Sequence, residues 1–270
     1  MKNEMYESYL SIHPTLKNAD NYDLMATYYR KNYRNLLGGT QRKILDVACG
    51  AGHFLYFLKK EGYREVRAVD LCGECVEHCI AGGFIDADRI TRGDALDFLR
   101  EKTDLYDAVV MNDLIEHLEK GRVVATLAAA RECLSPGGCL IVKVVNAANP
   151  ITGSSSRYGD FTHTLGFTQE SLVQVLRLAG LERIEVRPQD IWVFNPLVNV
   201  VGRTLQGGLN LLFRGLFLLY GRKTTTIFTK DIIAVARVRP DGPALLPWRA
   251  LAPCDMKVSS RSIFSIRPCF

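Results

Sequence analysis

The sequence predicts a doubly wound α/β sheet, and three observations carry that reading. The first is the run Ile44-Leu45-Asp46-Val47-Ala48-Cys49-Gly50-Ala51-Gly52-His53-Phe54, an apolar strand ending in an acid, then a glycine turn, then the start of an amphipathic helix. The second is the alternation of apolar strands and helical stretches that continues to residue 186. The third is the recurrence of aspartates at strand ends, at Asp46, Asp70 and Asp94. Together these describe a Rossmann-like joint at which a ligand meets backbone N–H groups and carboxylates at the carboxyl edge of a sheet.

The elements follow in order. A helix over 23–37, carrying Tyr22, Tyr28, Tyr29 and Tyr33 in or beside it, precedes the first strand at 43–47. Tyr22, Tyr29 and Tyr33 fall near helical spacing, which predicts a packing stripe with one ring in reach of the ligand. Strands at 66–69, 106–111, 140–145 and 184–186 alternate with helices at 54–61, 74–81, 123–134 and 170–179. A short third strand ends near Asp94 in TRGDALDFL. Ser135-Pro136-Gly137-Gly138 reads as a turn between helix and strand, and Gly180 sits where a helix C-terminus belongs. A last strand spans 231–238.

At 270 residues and 47% hydrophobic, the chain has enough apolar material for one large core with additions. We divide it into an N-terminal helical cap (1–40), a main domain (41–238) with an insert at 195–225, and a loosely ordered tail (239–270) with prolines before Cys254 and serines after it. A net charge of +5, with no aromatics interleaved on a basic face, argues against a nucleic-acid partner. The opening residues carry acids and no apolar core, so a cytoplasmic protein is expected. The eight cysteines fall mostly on strands and helices, as small hydrophobes. Cys72, Cys75, His78 and Cys79 approach zinc-ligand spacing, but no second such knuckle exists, and the plainer reading is a helix.

The insert is the outlier. Leu209 to Tyr220 is apolar apart from Asn210, Arg214 and Gly215, and between Asp190 and Asp231 there are five basic residues and no acid. Such a run is too short to cross a bilayer, which takes about 20 residues. It suits a basic amphipathic helix on an anionic membrane surface, at the inner membrane face; the alternatives are a lid against the sheet or a dimer contact.

Chemistry is carried by the glycine turn and the acids around it. A dinucleotide fingerprint wants a third glycine where Leu55 stands, which weakens the reading of an NAD(P)-dependent oxidoreductase or epimerase. Asp70, at the end of the second strand, suits two ribose hydroxyls. Asp46 suits the positively charged end of a cofactor, and Asp94, followed by Ala95, an adenine amino group. This set favours S-adenosylmethionine.

DVACGAGHF, the acid in AVDL, GDALDFL, YDAVVMNDLIEHL and LSPGGCLIVKVVN resemble, in order, the motifs of class I S-adenosylmethionine-dependent methyltransferases. RYGDFTHTLGFTQESLVQVLRLAGL and TKDIIAVARV resemble a narrower group, the methyltransferases of bacterial polysaccharide and glycan biosynthesis. The resemblance implies a seven-stranded sheet with an antiparallel last strand. It also implies cofactor contacts at Asp46, Ala48, Gly50, Gly52, Asp70, Leu71, Asp94, Ala95 and Asn112. Ala48 departs from the glycine many members carry there.

An acceptor hydroxyl must lose a proton, and histidine is the usual base near neutral pH. His163 is the first candidate, in a polar loop on the ligand side of the sheet, with Asp160 to orient it; the bland alternative is a brace for the helix capped by Thr168. His117 is the competitor. With Asp113 and Glu116 it resembles a metal set used by some related methyltransferases, although the same stretch is common in metal-free members. His53 and His78 read as structural, and His13 as a residue able to close over the site. The expected activity is O-methylation of a sugar hydroxyl in a glycan or lipid-linked precursor. Alternatives are a quinone-like or other small-molecule acceptor, and a non-catalytic membrane-associated partner.

Overall fold

Seven strands form one sheet in the order β3-β2-β1-β4-β5-β7-β6. In the computed structural model, which describes residues 18–101 and 104–238, these are β1 Ile44–Val47, β2 Val66–Asp70, β3 Ile90–Arg92, β4 Tyr106–Asn112, β5 Leu134–Val145, β6 Arg183–Pro188 and β7 Asp231–Arg237. The pairings among β1 to β5 are parallel, and β7 runs antiparallel between β5 and β6. The expected reversed last strand is thus present, inserted inside the sheet rather than added at its edge. The chain leaves β1 in one direction to β2 and β3 and returns on the other side to β4, so the carboxyl ends of β1 and β4 form the switch point where such sheets bind ligands.

The central strands are buried on both faces, which is why ILDV, AVVM and CLIVKVV are apolar apart from Asp46 and Lys143. Helices α1 Ala19–Leu37, α2 His53–Lys60, α3 Gly73–Ala81, α4 Ala95–Glu101, α5 Lys120–Glu132, α6 Gly153–Tyr158, α7 Gln169–Leu178 and α8 Pro196–Leu219 surround the sheet. One apolar layer joins α5 and α7 to it and another joins α1 and α2. Because Tyr28, Tyr29, Tyr33, Leu36 and Leu37 share that second layer with Phe54 and Phe57, the N-terminal cap is part of the domain's own core.

Several expectations need correction. Ser135 to Gly138 is not a turn outside the strand: α5 stops at Glu132, β5 begins at Leu134, and the register on β4 jumps from Tyr106↔Leu134 to Ala108↔Cys139. The proline and glycines are absorbed as a bulge, a device that suits residues that weaken regular pairing. The short helix α6 precedes the polar loop that sequence patterning left unstructured. The insert folds into a helix of 24 residues, twice its apolar run, starting at an Asn195 cap with Pro196 at its first turn. Other boundaries hold well; Thr168 caps α7 in a reciprocal box with Ser171, and Gly180 follows that helix at φ +80°. His13, Cys254, Cys269 and the 239–270 tail lie outside the described residues.

Candidate active site

The glycine turn after β1 is shaped by backbone conformation. Ala48, Gly50 and Gly52 all have positive φ, at 62°, 52° and 78°. A Cβ on Gly52 would fall 2.7 Å from Cys79 Sγ and 2.8 Å from a Phe84 ring carbon, so this glycine lets the turn pack on α3. At Gly50 a Cβ would meet nothing within 4 Å, because its open side is the cavity. Ala48 is the surprise: the methyl that distinguishes it from glycine is held in the left-handed region, at a cost of about 1–2 kcal/mol.

The cavity beside this turn measures about 390 Å³, within the ordinary range for small-molecule sites. It is lined by every predicted cofactor residue except Gly52: Asp46, Ala48, Gly50, Asp70, Leu71, Asp94, Ala95 and Asn112. Asp70 is anchored, accepting from Gly50 N at 2.7 Å and Cys72 N at 2.8 Å, while burial raises its carboxyl above the usual range. Asp46 is buried, and Oδ2 has no hydrogen-bond partner. Burial first, and the Asp70 charge second, push its carboxyl up to about 8. Asn112 Oδ1 accepts from Tyr33 at 2.5 Å, whereas its buried Nδ2 lacks a partner. Asp94 is already engaged, capping α4 through Leu96 N at 2.9 Å and pairing with Arg122 at 2.6 Å.

Helix α1 closes this end. Tyr22 stacks on His53 at 4.5 Å and donates to Ala51 O at 2.7 Å, and Tyr29 lines the cavity. The packing stripe and the ring in reach of the ligand are therefore the same helix face. His78 meets the Tyr22 hydroxyl at 2.7 Å, and Cys72, Cys75 and Cys79 are buried in apolar surroundings.

The same cavity also brings together the two histidines set against each other as candidates. His117 lines the cavity, and His163 lies against it with ring centroids 4.6 Å apart. Asp160 Oδ1 accepts from Thr162 N at 2.8 Å and from Thr162 Oγ1 at 2.6 Å. The Thr162 oxygen in turn meets His117 Nδ1 at 2.8 Å, so Asp160 is tied to His117 through Thr162. His163 Nδ1 lies 2.9 Å from Ser156 O. Thr164 pins this loop to the turn below, with N donating to Glu116 O at 2.8 Å and Oγ1 to Leu118 O at 2.6 Å. Burial, followed by the neighbouring His163, holds His117 below the usual histidine range and hence neutral near pH 7. Burial opposes ionisation of Asp160, but the Thr162 bonds and the two imidazoles outweigh it and hold its carboxyl low.

The set Asp113, Glu116 and His117 is not assembled. Asp113, at φ +52°, pairs with the buried Lys143 of β5. Glu116 is fully buried, and burial with the Asp113 charge pushes its carboxyl up to about 8. The three-residue group of potential metal ligands found among the described residues is instead His117, Asp160 and His163.

Comparison with known proteins decides the identity. Residues 21–186, well over half of the chain, match a family model described as a methyltransferase domain. The chain belongs to this methyltransferase family. This membership agrees with the expected S-adenosylmethionine as methyl donor and overturns the oxidoreductase reading. Solved structures share the fold at low identity. A SAM-dependent methyltransferase from Archaeoglobus fulgidus is 19% identical with a TM-score of 0.60, covering 85% of this chain and 99% of its own. A possible histamine N-methyltransferase from Thermotoga maritima is 14% identical with a TM-score of 0.55, covering 87% and 99%. An O-methyltransferase family protein from Burkholderia thailandensis is 14% identical with a TM-score of 0.52, covering 89% of this chain but only 59% of its own. No curated protein sequence matches the chain.

The cavity fits the donor. A buried Asp46 whose Oδ2 has no partner suits a cationic amino-acid end, anchored Asp70 suits a ribose, and open Gly50 gives close approach to backbone. Sequence reasoning left open which tyrosine reaches the cavity and missed Leu114, Leu118, Glu119 and Arg122 in the lining, as well as the Thr162 and Ser156 supports. The regular i+4 spacing of α1 foreshadowed Tyr29; nothing local foreshadowed the others.

Proposed function

We propose that this methyltransferase methylates a hydroxyl of a glycan or lipid-linked glycan precursor, working from the inner face of a membrane. The observation that carries the hydroxyl reading is the His117–Asp160–His163 cluster, whose His117 lines the same cavity as Asp70. S-adenosylmethionine, when bound, supplies a methyl group made electrophilic by its sulfonium. Asp46 balances the positive charge of the donor, Asp70 holds its ribose, and Leu71, Asp94, Ala95 and Asn112 border its adenosine. In-line displacement demands that the acceptor oxygen be aligned on the far side of the methyl, and the cluster is where that oxygen loses its proton. A glycan acceptor is supported by the likeness of the Arg157–Leu181 stretch to methyltransferases of that group.

The membrane reading is supported by α8. Its inner line consists of Gly202, seated on the Trp192 ring, and Phe213 and Phe217, which pack on Phe228 at 5.9 and 4.9 Å. Outside that line Leu197, Val201, Leu205, Leu209, Leu212 and Leu219 are exposed, with Arg203 and Arg214 on the flank. No helix among the described residues is long and apolar enough to cross a membrane. An amphipathic helix with its apolar face in the headgroup region and basic residues toward anionic lipid answers both facts.

Isothermal titration with S-adenosylmethionine tests the donor site; absence of binding by folded protein would overturn it. Labelled donor with a panel of lipid-linked oligosaccharides, free sugars and quinone-like phenols tests the acceptor. Incorporation confined to the phenols would replace the glycan reading.

A further inference from the structure

We propose that His117, Asp160 and His163 hold a divalent transition-metal cation beside the cavity. This deepens the hydroxyl reading above and rests on it for its catalytic meaning, though not for the binding itself. One potential ligand atom from each residue lies within 4.8 Å of the others. Donors about 2.1 Å from a tetrahedral ion stand about 3.4 Å from one another, so side-chain closure of up to about 1.4 Å brings the three onto one ion.

The surrounding bonds fix each ring in a ligating state. The Ser156 carbonyl can only accept, so His163 Nδ1 carries the proton and Nε2 the lone pair. Thr162 Oγ1 spends its own proton on Asp160 Oδ1, so it accepts from His117 Nδ1–H, which again gives Nε2 the lone pair. Two imidazoles whose other nitrogens donate to oxygen, beside a carboxylate braced on one oxygen, form the outer arrangement that orients ligands around a metal. The loop is held before any ion arrives: the Arg157 guanidinium donates to the carbonyls of His163 and Thr164, and Thr164 is bonded to the His117 turn. Histidine and carboxylate favour zinc-, iron- or cobalt-type ions over magnesium or calcium, which prefer all-oxygen shells. Three protein ligands leave positions open, as in catalytic rather than structural sites. An acceptor hydroxyl at an open position would bind through oxygen and lose its proton to water more readily.

The test is titration of the chelator-stripped full chain with Co²⁺, followed by calorimetry and visible absorption. We expect one saturable equivalent with ligand-field bands and no thiolate-to-cobalt charge-transfer band, which excludes Cys72, Cys75 and Cys79 as the site. His163→Ala and Asp160→Asn should each weaken binding by about tenfold or more, while His78→Ala binds as the parent does. Circular dichroism and retained S-adenosylmethionine affinity establish that the variants are folded. No saturable binding, thiolate bands, or unchanged affinity in both cluster variants overturns the proposal. Cobalt binding without S-adenosylmethionine binding would overturn the donor site and leave the metal site standing.

Discussion

The donor joint and the histidine cluster beside it are built differently. At the donor joint, β1, its glycine turn and the end of β2 lie within 27 residues of one another (44–70), and backbone atoms do much of the work: Gly50 N and Cys72 N fix Asp70, and positive φ angles shape the turn. At the cluster the chemistry rests on side chains from two segments more than forty residues apart, His117 on one and Asp160, Thr162 and His163 on the other. A cofactor common to many enzymes can be held by a conserved local geometry, whereas an acceptor particular to one enzyme calls for parts that can change separately. The contrast predicts that changes at the donor joint remove binding, while changes at the cluster spare binding and remove turnover.

The largest effect is expected at Asp70. Asp70→Ala removes the acceptor for two backbone N–H groups as well as the ribose partner, and should weaken S-adenosylmethionine binding by about a hundredfold or more in calorimetry, with the far-ultraviolet spectrum retained. Next comes His163→Ala, which should keep donor affinity and lower turnover by about a hundredfold. Normal turnover in that variant would break the comparison and leave His117 as the residue to test.

On α8, replacing Leu205, Leu209 and Leu212 together by aspartate should abolish flotation with anionic vesicles without changing donor affinity. Flotation unaffected by the change would remove the membrane reading, and a shift to monomer would reassign the face to a second copy.

Asp46 gives a smaller, signed effect. Its carboxyl titrates near 8, so at pH 6 the empty site holds a proton that a cationic donor must displace. Affinity should therefore rise by up to about tenfold per pH unit from 6 toward 8 and then level. The same shift acts oppositely on stability: the raised acid is stabilising only below its ordinary range, and this contribution declines as pH rises from about 4 to 8. Affinity falling with pH across that range would contradict a cation beside Asp46.

The smallest effect belongs to Ala48→Gly. Relief of the left-handed alanine should stabilise the fold by about 1 kcal/mol, offset in part by the greater freedom of glycine in the unfolded chain, and read as a rise of a few degrees in Tm.

Legibility in the sequence followed the same division. Asp46, Gly50, Asp70, Asp94 and Ala95 could be placed beside one cavity because strand ends and turns announce themselves within a few residues, whereas Asn112 came with the family resemblance. Glu116 shows the opposite case: its place in a DxxEH stretch suggested a ligand, yet the side chain turns into the core, and no local pattern distinguishes the two directions. Lys143 reads as an interruption of an apolar strand, and it is the neighbouring Asp113, with Asp231 nearby, that explains how a lysine can be buried there. The bulge at Ser135–Gly138 likewise depends on the register β4 imposes.

What the sequence by itself determined was the doubly wound sheet and its donor joint, because hydrophobic period, turn chemistry and strand-end acids are local properties that survive without knowledge of the rest of the chain; the methyl-transfer class came from the resemblance of its motifs to a known family. Tertiary structure alone decided that His117 and His163 are partners rather than rivals, that Asp160 reaches His117 through Thr162, and that α8 keeps its leucines outside. Those facts depend on which loops meet at the carboxyl edge of the sheet, a long-range outcome of packing that no window of sequence contains.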